Sequence, residues 1–148
     1  MYDSCPDPKL SERPGFRLYR LSQTVRASYA THLAPLGLGP VEAWILMLMR
    51  DGAARQPGEL AKALGMDPGG VTRMIKRMAA SGLVRRSRRG DDLRSVHLEM
   101  APKAQDLTLK IAAAVERAER EFVEGMAFQD AALLDRLLSE RLERTARP

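Results

Sequence analysis

Apolar positions recur at helical spacing along most of the chain and alternate in one short stretch only. From Phe16 to Leu33 the stripe Leu18, Leu21, Val25 and Tyr29 predicts an amphipathic helix, with Arg17, Arg20 and Arg26 off it. Pro35, Gly37, Gly39 and Pro40 break that helix. A second helix from about Pro40 carries Trp44-Ile45-Leu46-Met47-Leu48-Met49. It is apolar all round, so it is expected to be buried all round, and Asp51-Gly52 ends it. Gln56 to Leu64 reads as a short helix with Leu60, Ala61 and Leu64 inward and Gly65 as its stop. Asp67 then suits an N-cap, Pro68 a first helical position and Gly82 the residue past a helix end. Between them Val71, Met74, Ile75 and Met78 form one apolar face. Val96-His97-Leu98-Glu99-Met100 alternates, and with the residues before Gly90-Asp91-Asp92 it predicts two short strands around a turn. After Pro102 the series Ala104, Leu107, Ile111, Val115, Ala118, Phe122 predicts a long helix to about Val123. Gly125 breaks it, and Gln129 to Glu143 carries Leu133, Leu134, Leu137, Leu138 and Leu142.

Short helix, tight turn, second helix, hairpin is the outline of a winged helix-turn-helix. The expected fold class is therefore mainly α with a small β-hairpin wing. Residues 37–101 form the winged helix-turn-helix, flanked by dimerisation helices in 16–36 and 102–148, with 1–15 as a flexible tail. The first helix and the last two cannot bury their stripes alone. A second copy of the chain is the economical partner, with Leu18, Leu21, Ile111, Val115, Phe122, Leu134 and Leu137 at the contact.

Charge sharpens this picture. Residues 72–94 hold eight Lys or Arg against two Asp, a net of +6, while the rest of the 148-residue chain nets −1. A solvated surface would spread its excess, whereas a concentrated patch is the footprint of a polyanion, here double-stranded DNA. The face of Thr72, Arg73, Lys76 and Arg77 has three cations and no acid. Thr72 and Arg73 lie near the helix start, where side chains reach base edges. Gly69 and Gly70 offer bare backbone N–H groups suited to a phosphate, and Lys76, Arg77, Arg86 and Arg88 suit phosphates too.

Other classes find little support. His32, His97 and Cys5 form no metal-spaced cluster, and no glycine-rich phosphate loop follows a strand. No catalytic residue, metal ligand or cofactor is assigned, and an enzyme is not expected. Cys5 reads as an ordinary tail thiol. Neither a signal segment nor a membrane span is evident, so a cytoplasmic protein without a membrane partner is the expectation.

Several stretches together resemble the MarR (multiple antibiotic resistance regulator) family of bacterial transcription factors. They are Glu59 to Asp67, Val71-Thr72-Arg73, Ser81-Gly82-Leu83-Val84, Asp92-Leu93-Arg94 and Leu98-Glu99-Met100-Ala101. The resemblance spans about residues 16–142. Leu93 stands where the family usually has Arg, and Met100-Ala101 where it has Leu-Thr. The resemblance implies an obligate homodimer, a basic helix in the major groove and a wing Arg in the minor groove. Arg94 inherits that wing role, with Asp92 holding it. It also implies a small aromatic or anionic effector that releases DNA, for which Tyr29, His32, Trp44 and Met47 are the candidates. Ordinary core packing is the competing reading of those four. The function expected is a sequence-specific repressor on a pseudo-palindromic operator. The alternative is a winged-helix architectural or interaction protein that binds DNA with little sequence choice.

Overall fold

The computed structural model describes residues 7–88 and 96–146. Its elements run α1 (Pro14–Leu33), α2 (Pro40–Arg50), α3 (Pro57–Leu64), α4 (Pro68–Ala80), β1 (Val84–Arg88), β2 (Val96–Met100), α5 (Pro102–Val123) and α6 (Phe128–Thr145). Helices with a hairpin between α4 and α5 are the winged helix-turn-helix expected from the sequence. Proline opens α1, α2, α3 and α4 at their first turns, where its missing N–H has no helical partner anyway. α1 begins at Pro14, two residues before the predicted start. Leu10–Glu12 form a 3-10 turn and Arg13 pairs with Asp7 at 2.7 Å, in a stretch read from sequence as a tail.

The chain divides into two compact units, Met1–Ala118 and Glu119–Pro148. The core of the first is built from Leu33, Ile45, Leu46, Leu60, Val71, Ile75, Met78, Leu98 and Ile111, all fully buried. The predicted stripes of α3, α4 and α5 deliver buried residues to this core, whereas the α1 stripe buries only Tyr29 and leaves Leu18 and Leu21 exposed. Two other stripes differ in detail. α2 is not buried on every side: Ile45, Leu46 and Met49 are, but Trp44, Met47 and Leu48 are only half-buried. On α5 the buried line is Ala104, Thr108, Ile111, Ala114 and Ala118, with Leu107 and Val115 at its margin. Small residues carry this line, and Thr108 joins it because its hydroxyl is satisfied by the Gln105 carbonyl at 2.7 Å. In the second unit α6 buries no residue, and Leu133, Leu137 and Leu142 are exposed.

β1 and β2 pair antiparallel, with Val84 opposite Met100, Arg86 opposite Leu98 and Arg88 opposite Val96. The far edge of β2 is also occupied, since the Leu98 N–H donates to the Arg55 carbonyl at 2.8 Å. The turn expected at Gly90-Asp91-Asp92 lies outside the described residues, as do Cys5 and Arg94. No single helix among the described residues is long and apolar enough to cross a membrane.

Candidate nucleic-acid interface

α3 and α4 meet through a turn whose chemistry is local. Glu59 Oε2 accepts the N–H groups of Arg55 and Gln56 at 3.0 and 3.1 Å, which satisfies donors at the start of α3. These bonds, the Arg55 one first, hold the Glu59 carboxyl below the usual glutamate range; nearby His97 adds to the effect, and partial desolvation opposes it. At the other end Gly65 adopts φ +61°, a left-handed cap that favours glycine. Asp67 then accepts the Gly70 N–H at 3.1 Å and starts α4, as the sequence predicts.

Val71, Ile75 and Met78 anchor α4 in the core, which turns Arg73, Lys76 and Arg77 outward; Thr72 is half-buried beside them. On the hairpin Arg85 and Arg86 are exposed too. Among the described residues none of these five cations is in an ion pair. Arg77 instead sets Nη2 against Met74 Sδ at 3.5 Å. Such a surface holds its repulsion unneutralised, which favours an external polyanion.

The start of α4 has a particular shape. A Cβ at Gly69 would lie 3.0 Å from Asp67 Oδ2 and 3.6 Å from Arg73 Nη1, and one at Gly70 would lie 3.8 Å from Arg73 Nη2. The Arg73 guanidinium therefore reclines over the glycine pair and concentrates positive charge where the helix amides already carry it. Gly69, Gly70, Thr72, Arg73, Lys76 and Arg77 are brought onto one helix, and β1 adds Arg86. Arg88 closes β1 opposite Val96, while Asp92 and Arg94 lie outside the described residues. Arg85, which is not among the site residues expected from sequence, is exposed in the same basic run.

Residues 36–95 match the MarR family model. Over that stretch, about two fifths of the chain, the sequence is similar to the MarR family. Its fold is that of MarR structures. A mutant of MarR from Escherichia coli, complexed with operator DNA, aligns with a TM-score of 0.82 at 24% identity, covering 93% of this chain and 99% of that one. CouR from Rhodococcus jostii, bound to p-coumaroyl-CoA, aligns at 0.78 and 23% identity, over 96% and 97%. The multiple antibiotic resistance protein MarR of Salmonella typhimurium is 28% identical over 88 residues, 60% of this chain and 61% of that protein. The match thus spans about three fifths of that relative's length. The family and its structural neighbours are regulators rather than enzymes, in line with the lack of a catalytic constellation in the sequence.

The effector candidates fall on α1 and α2. Tyr29 is buried and meets half-buried Trp44 edge to face, with ring centroids 5.5 Å apart. His32 and Met47 are half-buried on the same two helices. The dimerisation candidates are placed unevenly. Leu18, Leu21 and Leu137 are exposed, and Val115, Phe122 and Leu134 are half-buried. Ile111 is fully enclosed by its own chain, because the α5 line that carries it faces the core.

Proposed function

We propose that this chain is a sequence-specific DNA-binding transcriptional regulator, a cytoplasmic repressor that works as a homodimer on a pseudo-palindromic operator. The observation that carries the reading is the set of exposed cations on α4 and β1 with no carboxylate partner among the described residues. Residues 37–101 supply the DNA surface, and helices in 16–36 and 102–148 the contact between copies. Support for the dimer comes from α6, which buries no side chain, and from Leu18 and Leu21, exposed at 54% and 42%. Arg73 reads a base edge, Lys76, Arg77, Arg86 and Arg88 meet phosphates, and Arg94, positioned by Asp92, enters the minor groove. A small aromatic or anionic effector acts near Tyr29, His32, Trp44 and Met47. Its support is the Tyr29–Trp44 ring pair and the aromatic thioester bound by a fold relative.

The test is binding of Arg73→Ala, Arg77→Ala and Arg94→Ala to a selected operator and to random DNA across a salt series. Arg73→Ala should cost about 1–3 kcal/mol at one base position. Arg77→Ala should weaken both DNAs and lower the salt slope by about one per contact removed in each subunit. Arg94→Ala should cost most on sites with narrow A·T-rich flanks. Wild-type affinity in all three, on both DNAs, would refute the assignment.

One observation favours a second reading. The glycine pair removes side chains from the turn of α4 nearest the bases, and Arg73 lies back over it. An architectural protein would need no more than this. The ratio of operator to random affinity at fixed salt separates the two.

A further inference from the structure

The C-terminal end of α4 is held by a side chain from α5. α4 ends at Ala80, Ser81 caps it, and Gly82 turns the chain at φ +73°. The N–H groups of Ser81, Gly82 and Leu83 return to the carbonyls of Arg77, Ala79 and Met78. The Ser81 carbonyl accepts a hydrogen bond from Lys103 Nζ, in the first turn of α5. The lysine lies over Gly82, where a Cβ would stand 3.5 Å from Nζ and 3.6 Å from Cε. The same junction is closed by the Ala101 N–H donating to the Leu83 carbonyl at 2.9 Å and by Gln105 Nε2 donating to the Met100 carbonyl at 3.3 Å. Arg77 is the basic residue of α4's own last turn, but its guanidinium is set against Met74. The cation at the negative end of this helix therefore comes from Lys103.

We propose that Lys103 is a positioning residue for DNA reading. It fixes the C-terminal end of α4 against α5, and so the angle at which the N-terminal turn of α4 meets base edges. The proposal rests on the DNA-binding reading above. Its physical basis is leverage. A helix of 13 residues is about 20 Å long, so a tilt of about 3° at one end moves the other by about 1 Å. Hydrogen bonds to base edges weaken over such a distance. Long arginine and lysine side chains on phosphates can follow it. Loss of Lys103 should therefore reduce discrimination more than general attraction.

The experiment compares Lys103→Met, which keeps an unbranched stem without the charge, and Lys103→Arg in the full chain. Amide hydrogen exchange at Gly82 and Leu83 should rise about two- to fivefold in Lys103→Met. Operator affinity should fall about tenfold, random-DNA affinity less than twofold, with the salt slope unchanged. Lys103→Arg should restore both. Parallel losses on both DNAs with a reduced salt slope would overturn the proposal, because Lys103 would then be a phosphate contact. An unchanged operator-to-random ratio beside a normal wild-type preference would overturn it while leaving the DNA-binding reading intact. A wild-type chain with no operator preference would remove the premise itself, whatever the exchange result.

Discussion

Gly69 and Gly70 are adjacent in the first turn of α4, yet alanine should act oppositely at the two. Neither has positive φ, so alanine fits the backbone at both. Each glycine destabilises the helix by about 0.5–1 kcal/mol relative to alanine, because it loses more conformational freedom on folding. At Gly70 the new methyl would meet only Arg73 Nη2, at an ordinary 3.8 Å. Gly70→Ala should keep that gain, about 0.5–1 kcal/mol. At Gly69 the methyl would stand 3.0 Å from Asp67 Oδ2, the oxygen that accepts the Gly70 N–H at 3.1 Å. The carboxylate can yield only by loosening the cap, which is worth about 0.5–2 kcal/mol. Gly69→Ala should then lie between neutral and about 1 kcal/mol destabilising, and the two variants should differ by about 1 kcal/mol. Urea unfolding at one fixed chain concentration measures this, since any self-association makes the midpoint concentration-dependent. An Asp67→Ala background supplies the control. With the cap oxygen gone, Gly69→Ala should become about as favourable as Gly70→Ala. Equal stabilisation at the two positions in the wild-type background would refute the reasoning.

Ile111→Asp should unfold the chain, at a cost of several kcal/mol, because it places a charge in the first unit's core, as circular dichroism would show. Leu137→Asp lies on a surface 46% exposed in one chain and should leave helicity intact while shifting sedimentation from dimer to monomer. Glu59 has a lowered folded pKa, so the stability it contributes is present above the usual glutamate range and is lost as pH falls through the folded value. Stability measured against pH should therefore fall less steeply through that acid window in Glu59→Gln than in the wild type. Aromatic carboxylates that lower operator affinity tenfold should favour the non-binding state by about 1.4 kcal/mol and change Trp44 fluorescence; a panel altering neither would count against the effector site.

What was legible in the sequence was mostly local. The Asp67 cap, the Pro68 start and the turn at Gly82 each depend on residues a few positions apart, and each stands where the spacing put it. The hairpin was readable because alternation at 96–100 leaves few other structures. The basic surface was readable because charge at exposed helix positions needs no knowledge of packing. What could not be read was which partner each stripe would find. Ile111 and Leu137 look alike in sequence as apolar members of helical stripes, yet one is enclosed by its own chain and the other is exposed. α1 divides in the same way, with Leu18 and Leu21 exposed while Tyr29 and Leu33 are buried. The cap on Ser81 was also beyond sequence reasoning, since Lys103 lies 22 positions away and reaches it only through the hairpin.

The two-stranded hairpin also bears on how the protein behaves when concentrated. One edge of β2 is occupied by the Arg55 carbonyl, but the outer edge of β1 has no strand beside it among the described residues. A bare edge invites another chain to add a strand, and long or charged side chains are a common defence. β1 reads Val84-Arg85-Arg86-Ser87-Arg88, so three of its five residues are arginines. Mutual repulsion then keeps two such edges apart at low ionic strength, and added salt weakens it. Variants that exchange these arginines for apolar residues should precipitate more readily even where the fold is untouched.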